Sequence, residues 1–456
     1  MTTLEYDRAY LWHPYASLNN PPPVREVASA SGVNLTLANG KTLIDAVSSW
    51  WCVAHGHNHP AIVEAIRRQS ERLCHVMFGG FTHEPAVELA QKLAAIAPAG
   101  LNRVFFADSG SISVEVACKM AVQYHVALGH PERNRIVALK GGYHGDTSLC
   151  MAISDPDGMH TLFKGIMTQQ FFAEKPACNF WSEWNPADIA SLARVLEEHD
   201  GEIAAVICEP ILQAANAMNF YNPAYLAEMR ALCDAHGVLL IFDEIAAGFY
   251  RTGPLWAHQW TNRLGSDATG VSRPRCSDET GVGCLSPDIM TVGKALTGGH
   301  ITLAATLASE KVAETISNGK PSAFMHGPTY MANPLACAAA CASLDLFAQT
   351  DYAANVAKIE HAFAAGLLPL KGLPNVTDVR ILGAAAVIEV KRLPARHDIE
   401  RVIDKHGVWL RPFGNFIYAM PPLISNGETI AKITMALADL ALSKPGPAPT
   451  DGDFHE

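Results

Sequence analysis

The chain has 456 residues, 49% hydrophobic and 17% charged, enough to bury a large core divided among roughly two or three domains. A net charge of −11 argues against nucleic acid or an anionic membrane surface as partner, since both need clustered lysine and arginine. Eleven scattered cysteines without a CxxC pair read as reduced core thiols, and no metal site is expected.

The opening "MTTLEYDRAYLWHP" has neither a basic flank nor an apolar core, and no uncharged apolar run approaches the roughly 20 residues of a membrane span, so a cytoplasmic protein is expected. "NNPPPV" reads as a stiff connector, and residues 60–75 and 85–96 are helical by period. The first segment, 1–60, is expected to serve a smaller domain and the active site.

From Leu101 to Ser309 the runs "RVFFAD", "RIVALK", "AAVICEP", "VLLIFDE", "DIMTVGK" and "LAATLAS" alternate with helical spacings such as Val114, Ala117, Cys118 and Ala121. This rhythm predicts an α/β fold, with a large domain over 61–333 whose mostly parallel sheet is covered by helices. Within it, residues 261–283 are polar and aperiodic and read as a loop insertion. An Ala-rich helix from Pro334 leads into a smaller α+β domain over 334–442. There "AAAVIEV", "GVWLRP" and "FIYAM" read as strands and "GETIAKITMALADLAL" as a closing helix. Residues 443–456 read as a disordered tail.

Ligands of such sheets sit beyond the carboxyl ends of the strands, so the residues after each run carry the chemistry. They include Ser109, Gly110 and Ser111; Tyr143, His144 and Asp146; Glu209; Asp243 and Glu244; and Lys294. Lys294 is no phosphate-loop lysine, because the GxxxxGK[ST] pattern fails on both sides of it. Taken alone it could equally be an exposed strand-end lysine. Asp243 ends a wholly apolar strand, where an unpaired carboxylate is costly, and helix capping is its plainer alternative. The turn before "ISVEVACKM" combines a small backbone at Gly110, a hydroxyl at Ser111 and free helical N–H groups, which suits a phosphate as well as an ordinary cap. Tyr143 sits on a Gly-flanked turn from which its ring could lie on a flat cofactor. A ring-nitrogen partner, a phosphate nest, a stacking ring and a lysine are together what pyridoxal 5'-phosphate needs.

At this point the sequence resembles the class III, fold-type I pyridoxal-phosphate aminotransferases. The resemblance rests on "GGYHGDT", "DEIAAGFYRTG", "TVGKALTGG" and "HGPTYMANPLACAAA" in that order across most of the chain. "WHPY", "SSWW", "HVMFGGFTH", "FADSGS" and "RPFGNFIYAMPP" are similar to the branch that aminates 8-amino-7-oxononanoate to 7,8-diaminononanoate in biotin biosynthesis. The resemblance implies Lys294 as Schiff-base lysine, Asp243 as partner of the pyridinium, Tyr143 on the ring, and Gly110 and Ser111 on the phosphate. Pro328 and Thr329 would serve the neighbouring subunit's cofactor, which implies a homodimer. Arg411 would take the substrate carboxylate, while Tyr15, Trp51, Tyr143, Gly327 and Tyr418 would surround the rest of it. The implied reaction is ping-pong transamination, with S-adenosylmethionine as amino donor and lysine as the alternative. The rivals are another amine and oxo-acid pair within the family, or a cofactor-binding protein with little catalysis.

Glu209 could sit near the cofactor or only hold a local network, and Asp146 and Arg251 are further candidate contacts. His55, His57 and His59 alternate in a Gly- and Asn-bearing loop with no carboxylate nearby in sequence, which favours a polar turn over a metal site.

Overall fold

All six apolar runs, with a short seventh strand, form one sheet in the computed structural model, which describes residues 1–216, 218–262 and 285–446. Its spatial order is Leu101–Ala107, Ala304–Ser309, Ile289–Val292, Leu239–Asp243, Ile203–Cys208, Arg135–Leu139 and Phe171–Ala173. Ala304–Ser309 runs antiparallel to both neighbours, and the remaining pairings are parallel. The three central strands are buried at every position, which is why they read as unbroken apolar runs: both faces of the sheet are covered. On one face lies the helix Gly110–Ala127, whose Val114, Ala117, Cys118 and Ala121 pack with Ile136, Ile207, Ile241 and Ile289. Each valine or isoleucine side chain there, taken wholly out of water, contributes on the order of 1.5–3 kcal/mol, and each alanine less. The strand Phe171–Ala173 escapes sequence reading because three residues carry no period.

The chain divides into two units, one comprising Met1–His59 with Ala354–Glu456 and the other Pro60–Ala353. The helix Pro334–Gln349, expected in the small domain, belongs to the larger unit because it packs on Pro60–Ser70 and Glu84–Ile96. In the smaller unit Val27–Ser31, Asn34–Leu37 and Thr42–Asp45 form an antiparallel meander, which Val408–Trp409 extends in parallel. A second sheet joins Val376–Leu382, Ala385–Val390 and Phe416–Ala419. The closing helix spans Gly427–Leu442 and is capped by Asn426, whose side chain accepts from Thr429 N–H.

Two boundary expectations change. Thr261 is buried and, with Asn262, ends a 3-10 turn, while 263–283 lie outside the described residues. The start of the expected disordered tail is held, since Gly446 N–H donates to Leu393 O at 2.8 Å and Pro445 bridges Pro394; residues 447–456 lie outside the described ones. Among the described residues no helix is long and apolar enough to cross a membrane.

Candidate active site

Register explains how distant residues reach one sheet edge. Asp243 is level with Thr291 on the adjacent strand, and Lys294 follows three residues later. Phe242 is level with Cys208, so Glu209 leaves the sheet beside Asp243. At the lysine the chain turns sharply: Gly293 is extended, Lys294 has φ 42°, the 3-10 turn Lys294–Thr297 follows, and Gly298 closes it at φ 59°. A left-handed non-glycine residue costs about 1–2 kcal/mol and persists only where its surroundings hold it. Lys294 is half-buried.

Asp243 is 3% exposed. Its Oδ2 accepts from His144 Nδ1 at 2.8 Å, and its Oδ1 from Thr291 Oγ1 at 3.1 Å and Ile245 N–H at 3.2 Å. A carboxylate offers about four lone-pair positions, so these three bonds leave capacity for one more donor. His144 is itself placed by its N–H, which donates to Ser154 Oγ at 3.0 Å. Glu209 accepts from the N–H groups of Tyr143 and Ala214, each at 3.1 Å. Burial, with the Asp243 charge adding to it, raises Glu209 to about 7, against the pull of His144 and those two N–H groups. Glu244, fully buried, is bonded by Ala257 N–H, His258 N–H and His258 Nδ1 and has a structural place.

Ser109 caps the helix Gly110–Ala127, accepting from Ile112 N–H, which leaves the first helical N–H groups directed outward. Gly110 lies tight on Ile245, where a Cβ would meet the side chain at 3.1 Å. Gly145, at φ +123°, lies tighter still on Ser111, for a Cβ there would stand 2.1 Å from Ser111 Oγ. Only glycine satisfies both demands at 145. Tyr143 is half-buried and stacks on His160 with centroids 6.0 Å apart, and His160 Nε2 bonds Asp146 at 2.9 Å. Arg251 is 1% exposed. Gly327 and Thr329 are exposed and Pro328 half-buried, in a segment that also exposes Met325 and Tyr330.

Arg411, Trp51, Tyr418 and Tyr15 fall in the smaller unit. The guanidinium of Arg411 lies 4.6 Å from the Trp50 ring centroid, and Tyr15 meets the same ring edge-on at 6.5 Å. Trp51 meets Tyr418 edge-on at 6.2 Å. Burial pushes the Tyr418 phenol up to about 12, opposed by the charge of Arg411 and the indole of Trp51. All four residues Ser48–Trp51 have positive φ, between 47° and 69°, so this turn is left-handed throughout. At about 1–2 kcal/mol each, four such residues need strong support. It comes from the buried Asp45, whose Oδ2 accepts from Ser49 Oγ at 2.7 Å and from His57 Nε2 at 2.9 Å, and whose Oδ1 accepts from Val47 N–H at 3.3 Å. Ser48 Oγ donates to Met420 O at 2.7 Å. Burial raises the Asp45 pKa, but His57 and Ser49 outweigh it and hold the group below its ordinary value. The carboxylate missing from the neighbourhood of His57 in sequence is thus supplied by the fold, and that histidine is a clasp.

Asp243, Lys294, Glu209, Tyr143, Gly110 and Ser111 therefore gather at one edge of the large sheet, and the aromatic set with Arg411 gathers separately in the smaller unit. Sequence reading places His144 among the strand-end residues but assigns it no partner, and it passes over Asp45. The residues present suit pyridoxal 5'-phosphate on three observations: the spare acceptor capacity of Asp243, the glycine-lined turn at Ser111, and a constrained lysine in the turn that follows the neighbouring strand.

The profile of the family described as "Aminotransferase class-III" matches residues 15–440. A Mycobacterium leprae protein named adenosylmethionine-8-amino-7-oxononanoate aminotransferase is 47% identical, with 95% of each chain covered. Its namesake from Buchnera aphidicola subsp. Schizaphis graminum is 45% identical, with 94% of each chain covered. The crystal structure of the enzyme of the same name from Methanocaldococcus jannaschii superposes with a TM-score of 0.83 at 30% identity, covering 96% of this chain and 99% of that one. The strand-end lysine and aspartate thus stand within a full-length match, and the chain belongs to the class III aminotransferases, with their fold-type I architecture.

Proposed function

We propose that the chain transfers an amino group to the oxo group of 8-amino-7-oxononanoate, giving 7,8-diaminononanoate for biotin biosynthesis, with S-adenosylmethionine as donor. The observation that carries this reading is near-full-length identity of 45–47% to relatives named for that reaction, together with an arginine set among aromatic rings in the smaller unit.

Bound pyridoxal 5'-phosphate supplies an aldehyde that condenses with amines and a protonated pyridine ring that accepts the electron pair released when a substrate C–H bond breaks. Asp243 holds the proton on the ring nitrogen with its remaining acceptor capacity, and His144 and Thr291 keep its carboxylate aimed. Ser111, Gly110 and the helical N–H groups behind them bind the phosphate. Tyr143 covers the ring, steadied by Glu209 at its backbone N–H. The Lys294 amine would hold the cofactor's aldehyde and, when free, would serve as the base that takes the proton from the substrate carbon and the acid that returns it. Arg411 takes the acceptor's carboxylate with a two-pronged fork, and Tyr15, Trp51 and Tyr418 shield its methylene chain from water. Gly327 adds to the same recognition, and Asp146 and Arg251 are candidate contacts to donor or cofactor.

The working unit is proposed to be a homodimer in the cytoplasm. Exposed Met325 and Tyr330 beside Thr329 support a covering second copy, whose cofactor phosphate Thr329 and Pro328 would reach. Purified holoenzyme offered 8-amino-7-oxononanoate with S-adenosylmethionine or with lysine tests the whole reading. Diamine formed with S-adenosylmethionine is expected; formation with lysine alone reassigns the donor, and formation with neither overturns the substrate.

A further inference from the structure

The turn Ser48–Trp51 is out of the ordinary on the backbone alone, because Ser, Ser, Trp and Trp have no intrinsic taste for left-handed φ and no glycine eases any of them. Backbone held this way is a pointer to function wherever the surroundings fix it on purpose. Here the fixing group is one buried carboxylate. Asp45 ends the strand Thr42–Asp45, reaches forward to Ser49 Oγ and Val47 N–H, and is tied to His57. His57 in turn is anchored by its own backbone, which exchanges two hydrogen bonds with Gly32 at 2.7 and 3.1 Å. What the turn presents is two consecutive indoles, Trp50 under the Arg411 guanidinium and Trp51 against Tyr418. In a right-handed or extended turn, successive side chains would leave in other directions, and both contacts would not form together.

We propose that Asp45, braced by His57, is a positioning residue for acceptor specificity: by holding Ser48–Trp51 left-handed it sets the indole faces against which Arg411 and the substrate chain are registered. The inference rests on the proposed role of Arg411, Trp51 and Tyr418 toward the acceptor. Asp45 touches no substrate in this scheme and acts only through the turn.

Two variants of the holoenzyme test it. Asp45→Asn replaces an acceptor oxygen with a donor facing Ser49 or His57, and Ser49→Ala removes only the bond inside the turn, at an exposed side chain that carries little risk to folding. The KM for 8-amino-7-oxononanoate is expected to rise at least tenfold in Asp45→Asn and several-fold in Ser49→Ala. In both, kcat should stay within threefold and the visible spectrum of bound cofactor should be unchanged. A KM within twofold of the parent in either folded variant, or a fall in kcat at constant KM, overturns the proposal. Crystal structures of the same variants give a readout that needs no substrate. Trp50 or Trp51 is expected to leave the left-handed region with loss of the Arg411 or Tyr418 contact, and persistence of all four left-handed residues overturns the positioning role. Should the parent enzyme reject 8-amino-7-oxononanoate, the proposed substrate falls, and the crystallographic arm still decides on Asp45.

Discussion

His144 Nδ1 stands 2.8 Å from Asp243 Oδ2, between two residues each 3% exposed and 99 apart in sequence. A hydrogen bond to a buried charge contributes about 1.5–3 kcal/mol, and deleting one partner leaves the other desolvated and unbalanced. In the proposed cofactor site the bond would do more than stabilise the sheet edge: it would set the direction in which the Asp243 carboxylate faces the ring nitrogen. His144→Ala is expected to lower kcat and weaken cofactor binding by roughly 10- to 100-fold each, the factor that this free energy corresponds to. Titration of apoenzyme with pyridoxal 5'-phosphate, followed by steady-state kinetics, checks it; parent-like values for both would make His144 a packing residue only.

Lys294→Ala should cost at least about 10²–10⁴-fold in turnover, the usual contribution of a positioned proton carrier. Covalent capture gives a sharper reading than rate. Borohydride treatment of the holoenzyme should fix the cofactor's mass on the peptide containing Lys294, and the alanine variant should retain none. Cofactor fixed on another lysine would refute the assignment.

How far these residues were readable follows from what each signal depends on. Strands buried on both faces announce themselves as apolar runs, so six of seven were visible, and with them the chance that Asp243 and Lys294 share an edge. The register that makes them neighbours, Asp243 level with Thr291, is a long-range property on which no local pattern bears. The same holds for His144 and for Asp45 with His57, whose partners arrive by folding. The left-handed turn at Ser48–Trp51 is invisible for another reason: its handedness is imposed by tertiary bonds upon residues that do not prefer it. The strand Val376–Leu382 was missed because its polar and apolar residues are mixed on a half-covered sheet.

Glu209 predicts a pH dependence of stability. Its folded pKa, about 7, lies above its ordinary 4.5, so the folded state holds this proton more tightly than the unfolded chain does. The stabilisation from the protonated group is full below 4.5, declines as pH rises from 4.5 to 7, and is absent above that, amounting to about 3 kcal/mol at most. Glu209→Gln should flatten the fall of Tm with pH across that window. At pH 5 it should also cost about 1–3 kcal/mol, since an amide NH₂ would face the N–H of Tyr143 or Ala214. A Tm profile parallel to that of the parent would show that Glu209 titrates normally.

Gly145→Ala is expected to harm the turn proposed to hold the phosphate without replacing any group proposed to be catalytic. The added Cβ would stand 2.1 Å from Ser111 Oγ, at a backbone φ of +123° that an L side chain rarely takes. Ser111 must shift, and cofactor affinity should fall by at least tenfold while Lys294 and Asp243 remain in place. Equilibrium dialysis of the cofactor and a crystal structure check both halves of this statement; unchanged affinity would remove Ser111 from the phosphate site.

Arg411→Lys separates charge from geometry. The parent guanidinium stands 4.6 Å from the Trp50 ring centroid, and its planar fork is the geometry that a carboxylate can meet with two bonds. A lysine keeps the positive charge but loses the fork and much of the stacking, two properties in which the side chains are not interchangeable. Loss of one charge-assisted bond corresponds to about 1.5–3 kcal/mol, so KM for the oxo-acid should rise roughly 10- to 100-fold with kcat little changed. An acceptor lacking its carboxylate should show almost no difference between the two enzymes. If both acceptors suffer equally, Arg411 serves the turn at Trp50 instead of the substrate, and recognition of the carboxylate has to be sought at another cation.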